Sequence, residues 1–483
     1  MTNKPLWTSS EIAAATGGAI NSPVTKNREF TISGLSIDTR DIGAGDLFIP
    51  LKAERDGHDF IANAFRNNAT ATLSETPING HPGVIVDDTL AALNALGTAS
   101  RDRSSAIRIG ITGSVGKTSL KEALATVCEA AGPTHKSVKS FNNHWGVPLT
   151  LARMPRDTEF GVFEMGMSAA GELTELSALV RPDIAVITKI APAHLAHFDS
   201  VDAIARAKAE IYSGIADGGT AIINLDCAYG PRLAKKAQKS GATIITVGKS
   251  DKADFRIGDV QALANGSVFA LHHADEIHPV LINIAGDHWV TNAALAVATA
   301  HAAGIAIADA VESLTTLGAI KGRGERFDVD LNGAQLTIID ESYNANPESM
   351  RAAITAIGER PGRKLAVLGS MLELGADELD MHAALSHPLV REGFARVFTV
   401  GETMRALKGA LPQKMRAAWC KDADAAWDAL LGEAQDGDTI LIKGSNGAGL
   451  GALVERLHTV NFSAQQRGNA HANSTSVGYR YAL

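Results

Sequence analysis

Three observations predict an α/β protein of three domains. The chain has 483 residues, and at roughly 100–200 residues per domain that length calls for about three cores. From Ile107 onward, apolar runs of strand length alternate with helical patterns, which is how parallel βαβ units read. The texture also changes twice, near Ser105 and after the Gly-Arg-Gly segment Lys321 to Arg326.

Residues 1–105 hold short apolar pieces, Leu47-Phe48-Ile49 and Val84-Ile85-Val86, punctuated by Gly43, Gly45 and Gly57. This reads as a small α/β module. Residues 106–326 carry the runs Ile107 to Ile111, Phe160 to Phe163, Ile184 to Ile187 and Ala221 to Ile223, so a central phosphate-loop-type domain on a parallel sheet is expected. Residues 327–460 repeat the alternation through Leu336 to Ile339, Leu365 to Leu368, Val397 to Val400 and Ile440 to Ile442, giving a Rossmann-like third domain. Residues 461–483 lose periodicity and read as a flexible tail.

Composition excludes several classes. With 45% hydrophobic and 20% charged residues, the chain falls in the ordinary globular range. Lys+Arg minus Asp+Glu is 45 − 53 = −8, so bulk charge offers nothing to a nucleic-acid backbone. Cys128, Cys227 and Cys420 lie far apart without a CxxC pair, which reads as reduced thiols in a cytoplasmic protein. Met1 to Trp7 lacks an apolar signal core behind it. Ala293 to Val311 is alanine-rich and broken by polar residues, so it reads as a buried helix and no membrane span is expected.

The strongest motif is Ile109-Gly-Ile-Thr-Gly113-Ser114-Val115-Gly116-Lys117-Thr118-Ser119, a strand running through a glycine turn into a helical pattern. Glycines let backbone N–H groups wrap phosphate oxygens at a helix N-terminus, Lys117 neutralises the outer phosphates, and the Thr118 hydroxyl suits Mg²⁺. The first glycine of the usual pattern is replaced by Ile111. A stray Gly-Lys-Thr turn would lack the flanking strand and helix.

Ligands of an open parallel sheet sit beyond the carboxyl ends of its strands, and that rule selects further residues. Glu164 ends one run and places a carboxylate on the edge of the phosphate loop, where it suits Mg²⁺. His194 follows Ile184 to Ile187 by a short loop and should reach the same edge, although a lone histidine also serves packing; His197 is read as structural. Lys208 falls in the apolar series Val201, Ile204, Ala205, Ile211, Tyr212 and Ile215. An inward lysine needs a partner or a changed charge unless it snorkels out.

In the third block, Leu336 to Met350 is a strand ending in polar residues, with Asn346 placed to cap a helix and Pro347 at its first position. Asp340 suits ribose hydroxyls and Tyr343 a base, although an ordinary strand-to-helix turn would look similar. Lys443-Gly444-Ser445 closes another strand in the same way. No G-x-G-x-x-G follows a strand, which disfavours a dinucleotide oxidoreductase.

Taken together, these residues resemble the Mur ligase family, the ATP-dependent enzymes that build the peptidoglycan stem peptide. The resemblance runs from about Ser33 to His458. It rests on Thr112 to Ser119, Phe141-Asn142-Asn143, Glu164-Met-Gly, Ala193-His194-Leu, Ala205 to Lys208, Asn292 to Ala296, Gly322-Arg323 and Asp340 to Pro347, in the family's order. Within the family it points to members that join D-alanyl-D-alanine to UDP-N-acetylmuramoyl-tripeptide, through Tyr343 to Pro347, Met371 to Gly375 with His382, Ser36 to Arg40, Gly45 to Phe48 and Asp56 to Phe60.

The resemblance implies a mechanism in which the tripeptide carboxylate attacks the γ-phosphate of ATP, and the dipeptide amine then attacks the acyl phosphate. It implies two Mg²⁺ ions held by Thr118, Glu164, His194 and Lys208, the last as a carbamate. It places Asn142 and Asn143 at the acceptor, Asn292, Tyr343 and Asn344 at adenine, Arg323 at phosphates and Asp340 at ribose. Thr39, Arg40, Asp46 and Phe48 would meet the uridine diphosphate end. A monomer is expected. His144-Trp145 stands where an Asp is common, and Glu341 where a second Asp is. The rivals are the ligase adding the third stem residue, whose Asn-Pro-Arg motif is missing, a folylpolyglutamate synthase, which lacks a comparable first block, and a phosphate-loop switch module.

Overall fold

The computed structural model describes residues 5–21, 29–78, 80–138, 141–192, 198–263, 266–284 and 286–460. His194, His197 and the expected tail at 461–483 lie outside the described residues. Three sheets are each built around a separate chain segment, and one short pairing, Trp7–Thr8 with Thr31–Ile32, stands apart.

The first sheet has the order Ala19–Asn21, Gly83–Ile85, Ala71–Ser74, Asp46–Phe48, Gly34–Ser36, parallel except at its first pair. The helix Thr89–Asp102 covers it with Leu93 and Leu96; Asp88 caps that helix by accepting from the Ala91 N–H at 2.8 Å. Its core continues into Leu149 and Ala152 of the helix Gly146–Ala152, and the Trp7 indole donates to Ala152 O at 2.9 Å. The first module is thereby packed onto the second.

The central sheet has nine strands. Thr134–Lys136, Phe160–Glu164, Ile107–Thr112, Ile184–Ile187, Thr220–Asn224 and Thr243–Gly248 lie parallel in that spatial order, followed by Phe255–Leu263, Gly266–His273 and Glu276–Ile282. Ile109, Ile111, Val162 and Val186 are completely buried, each contributing about 1.5–3 kcal/mol by leaving water. Lys117–Ala131 packs on one face through Leu120, Leu124 and Val127, against Asp287–Ala302.

The apolar runs account for four of these strands. The last three form an antiparallel extension in which Arg256 and His272 alternate with core residues, so no continuous apolar run marks it. The helix expected over 293–311 is also two, Asp287–Ala302 and Ile307–Leu314, because Gly304 turns the chain at φ +86°.

The third sheet runs Glu325–Leu331, Ala334–Glu341, Thr439–Lys443, Lys364–Gly369, Arg396–Val400, Arg416–Cys420, with its first pair antiparallel. Pro347–Gly358 and Ser386–Arg391 cover one face; Ala423–Leu431 and the helix at 450–460 cover the other. Asn346 caps Pro347–Gly358, accepting from the Ser349 N–H at 2.8 Å with Pro347 in the first turn. The neighbouring strands Thr439–Lys443 and Lys364–Gly369 send their following chain to opposite faces, which opens a crevice at their carboxyl ends.

Phe398 is fully buried under the helices Ala423–Leu431 and 450–460. Phe398→Ala should destabilise the third domain by about 3–5 kcal/mol, read from its denaturant midpoint. A change below about 1 kcal/mol would show that this core does not carry the domain.

Candidate active site

The carboxyl ends of three adjacent central strands converge on the phosphate loop. Gly113 (φ +153°) and Gly116 (φ +86°) curl the loop, and both conformations favour glycine. The Ser114 N–H donates to Lys189 O at 2.8 Å, and the Thr188 hydroxyl donates to Val115 O at 2.5 Å. The chain after Ile184–Ile187 therefore braces the loop after Ile107–Thr112. A Cβ on Gly113 would stand 1.9 Å from Thr188 Oγ1, so the brace leaves no room for a side chain.

Glu164 is 1% exposed at the end of Phe160–Glu164. Its Oε2 accepts from Thr118 Oγ1 at 2.8 Å and its Oε1 from Asn142 Nδ2 at 2.9 Å. The Thr118 hydroxyl accepts in turn from Arg323 Nη2 at 3.0 Å, across 205 residues of chain; the sequence expectation ends the central domain at 326, but the flanking Gly322 and Gly324 N–H groups both donate to Asp340, so Arg323 is held by the third sheet and counts with the third domain. Arg323 also lies over the Tyr343 ring, 4.3 Å from its centroid. Lys117 Nζ donates to Gly113 O at 2.8 Å, over the loop. Burial lowers the Lys117 pKa, Glu164 pulls it back up, and Arg323 lowers it further.

Lys208, the last residue of Val201–Lys208, is fully buried, and among the described residues its Nζ has no hydrogen-bond partner. Burial, with a smaller contribution from the Lys117 charge, drives its pKa well below that of an ordinary lysine. The shift favours loss of the ammonium proton. Ser114 Oγ and Asn292 Nδ2 are likewise buried and unpaired among the described residues. Asn292 stands against the loop, its Oδ1 3.2 Å from where a Gly116 Cβ would be. Polar atoms buried without partners are costly, and here they surround a phosphate loop.

The third domain brings its own strand ends to this place. Asp340 is 1% exposed, and its carboxylate accepts from the Gly322 N–H at 2.8 Å and the Ser342 N–H at 2.9 Å. Its observed contacts hold the backbone beside Arg323. Lys443 Nζ donates to Glu341 Oε2 at 3.2 Å and Asn344 O at 2.9 Å, while Lys189 pairs with Glu348 across the domain boundary. A cavity of about 420 Å³ opens here, lined in part by His288, Gly324, Arg326, Phe327, Glu341 and Ile357. Burial pushes the His288 imidazole below its usual pKa, against the pull of Glu341.

His288, Arg326 and Thr188 were not anticipated. Thr188 follows a strand end and was open to the rule that selected Glu164. His288 precedes the long alanine-rich helix and carries no local pattern.

Other anticipated residues divide. Asn142 reaches Glu164, whereas Asn143 Oδ1 accepts from the Trp145 and Gly146 N–H groups at 3.2 and 2.9 Å and so caps Gly146–Ala152. In the first module, Arg40 is largely exposed and paired with Asp38, Thr39 Oγ1 accepts from Asn63, and Asp46 Oδ2 accepts from the Gly43 N–H. Phe48 is 2% exposed and packs with Ala64 and Ala69. Its side chain supports the turn from beneath, which leaves the backbone of the turn as the part open to a substrate.

No group of three His, Cys, Asp or Glu side chains among the described residues is arranged to hold a metal. The oxygen set is Thr118 and Glu164, a hydroxyl and a carboxylate in contact. That fits Mg²⁺, which takes few protein oxygens and completes its shell with phosphate and water.

A glycine-curled phosphate loop, a buried carboxylate beside its threonine and an arginine reaching in from a separate domain define a phosphate-loop enzyme that works between domains. Residues 111–300 match the Mur ligase middle domain and residues 322–446 the Mur ligase, glutamate ligase domain. The chain belongs to the Mur ligase family. It is 37% identical to the UDP-N-acetylmuramoyl-tripeptide--D-alanyl-D-alanine ligase of Bacillus subtilis strain 168 over 456 residues, covering 92% of this chain and 97% of that protein. The enzyme of the same name from Escherichia coli K12 is 34% identical, covering 89% and 94%. The solved structure of MurF from Acinetobacter baumannii superposes with a TM-score of 0.82 at 30% identity, covering 94% and 99%.

Gly113→Ala should lower kcat/KM for ATP at least about tenfold, about 1.4 kcal/mol of transition-state stabilisation. Steady-state kinetics with varied ATP would show it, and an unchanged value would mean that the loop does not need its backbone conformation.

Proposed function

We infer that this chain is an ATP-dependent ligase that joins D-alanyl-D-alanine to UDP-N-acetylmuramoyl-tripeptide through an acyl phosphate. The observation that carries the reading is the contact of Arg323 with Thr118 beside Glu164 and Lys117, a cationic phosphate site completed only when the third domain meets the second. The named relatives act on these two substrates.

The first step brings a carboxylate against a triphosphate, and repulsion between anions is its main obstacle. Lys117 and Arg323 supply positive charge from two sides of the loop, and the loop's backbone N–H groups fix the phosphates. Mg²⁺, held by Thr118 and Glu164, would supply further charge neutralisation when bound. Asn142 sets the orientation of Glu164, and the exposed amide of Asn143 faces the acceptor. The amine then attacks the acyl carbonyl, forming the amide bond as phosphate leaves. The cavity beside His288 and Glu341 would take the adenosine end, with Asn292 and Tyr343 at the loop. Thr39, Arg40 and Asp46 offer polar groups to the uridine diphosphate end.

Lys208 acts as a carbamate in this reading. A neutral buried amine adds to CO₂ and loses a proton, which leaves an anionic oxygen ligand where an unpaired ammonium would be costly. His194, outside the described residues, is proposed as its neighbour at a second Mg²⁺. Among the described residues no helix is long and apolar enough to cross a membrane.

Phosphate release from ATP should require both UDP-N-acetylmuramoyl-tripeptide and D-alanyl-D-alanine, and hydrolysis indifferent to both would overturn the ligase reading. Lys208→Ala should remove at least about 99% of turnover, more than about 2.7 kcal/mol, with partial rescue by short carboxylates. Full activity in the alanine variant would return Lys208 to packing.

A further inference from the structure

Lys121 has no part in the chemistry above, yet it is 1% exposed and, like Lys208, stands among the largest fully buried side chains of the described residues. It lies one turn beyond Lys117 and Thr118 on the helix Lys117–Ala131, so the three share a side of that helix. A buried ammonium is costly unless it is paired and hydrogen-bonded. Lys121 Nζ lies 2.9 Å from Glu122 Oε1 and donates to Ser137 O at 2.9 Å. Glu122 is shared, because its Oε2 also pairs with Lys136 at 2.9 Å. The bond to the Ser137 carbonyl is the one that charge pairing alone would not require.

That carbonyl is exceptional in the sheet. Thr134–Lys136 runs parallel to Phe160–Glu164, with Lys136 opposite Val162. Continued by one residue, a parallel ladder has the Ser137 N–H donate to Val162 O and the Ser137 carbonyl accept from the Glu164 N–H. The first bond is present at 3.1 Å. In the second, the Ser137 hydroxyl replaces the carbonyl and accepts from the Glu164 N–H at 3.1 Å. The carbonyl released in this exchange is the one that Lys121 takes. Ser137 is 1% exposed, so without Lys121 a main-chain acceptor would be left in the interior with no water to satisfy it.

The exchange marks where the chain leaves the sheet. Asn142 then returns to the same strand end, where its Nδ2 donates to Glu164 Oε1 at 2.9 Å and its O accepts from the Gly166 N–H at 2.7 Å. A Cβ on Gly166 would stand 2.7 Å from Asn142 Oδ1, so the two segments meet without slack. Glu164 is thereby fixed at its backbone by Ser137 and at its carboxylate by Asn142 and Thr118. Both Ser137 and Asn142 depend on the direction in which the chain departs.

We propose that Lys121 is a positioning residue for the Glu164 carboxylate: by drawing the Ser137 carbonyl out of the ladder, it turns the Ser137 hydroxyl to the Glu164 N–H and aims the segment that brings Asn142 back to the carboxylate. Lys121 acts through Ser137 and not on a reacting atom. The proposal rests on the ligase reading above for the step it affects, the transfer of phosphate to the tripeptide carboxylate.

Lys121→Met keeps the stem of the side chain and removes the donor. With phosphate release as the readout, kcat should fall about tenfold or more while KM for ATP stays within about twofold, since Lys117 and the glycine turn are untouched. Mn²⁺ binding to the enzyme–ATP complex, followed by electron paramagnetic resonance, should weaken at least about fivefold, because this ion reads an oxygen site directly. Lys121→Gln, one bond shorter but still an amide donor, should show both effects at smaller size, and it decides alone should Lys121→Met not fold. Adding Ser137→Ala to Lys121→Met should lower kcat little further, since both changes act on one contact. Wild-type kcat or Mn²⁺ affinity in a variant whose Tm has fallen, a KM for ATP that rises as far as kcat falls, or losses that add in the double variant would each overturn the positioning role. A wild-type enzyme whose phosphate release ignores the tripeptide would overturn the ligase reading while leaving the Mn²⁺ result in place, so the two failures are distinct.

Discussion

The site turns on one hydroxyl. Thr118 Oγ1 donates to a carboxylate that ends one strand of the central sheet and accepts from a guanidinium of another domain. A hydroxyl has one proton and two lone pairs, so it can serve both partners at once, as no aliphatic side chain could. The position of that hydroxyl follows from Gly113 and Gly116, whose backbone angles aim the first turn of Lys117–Ala131, and from Thr188, which braces the loop. Sheet, loop and third domain are coupled through an atom about 3 Å from each neighbour.

Much of this was legible because it is local. Strand, glycine turn and helix follow one another within twenty-five residues from Ile107 to Ala131, so periodicity and turn chemistry both mark them. Glu164 was found by the strand-end rule, and Lys208 by its place in an apolar helical series; the structure adds that its amine is unpaired among the described residues. What escaped depends on distant pairing. The antiparallel extension of the central sheet is half solvent-facing and needs its partners to be recognised. Phe48 looked like a contact because it ends a motif, and only the packing of Ala64 and Ala69 shows which way it turns. Asn142 and Asn143 are neighbours with opposite duties, one on Glu164 and the other on a helix start, which adjacency alone does not separate.

A net charge of −8 gives an anionic substrate no general attraction. The protein answers with cations gathered at the junction of two sheets, Lys117 and Arg323 at the loop and Lys189 and Lys443 nearby. Gathering them has consequences for each. Burial and the charge of Arg323 both lower the proton affinity of Lys117, and Lys208 is driven down mainly by burial, with a smaller push from Lys117. The charge gathered for phosphates thus adds to burial in weakening the hold of Lys208 on its proton.

The pair of Lys189 with Glu348 joins the second and third domains, and both side chains are partly open to water at 46% and 28%. An ion pair in that setting contributes about 0–1 kcal/mol, and mobile ions weaken it within a Debye length of about 8–10 Å. The two domains are therefore tied at this point by a clasp whose strength is comparable to thermal energy. Ionic strength therefore decides how much this contact adds to the hold of one domain on the other, so that part of the junction belongs as much to the solution as to the chain.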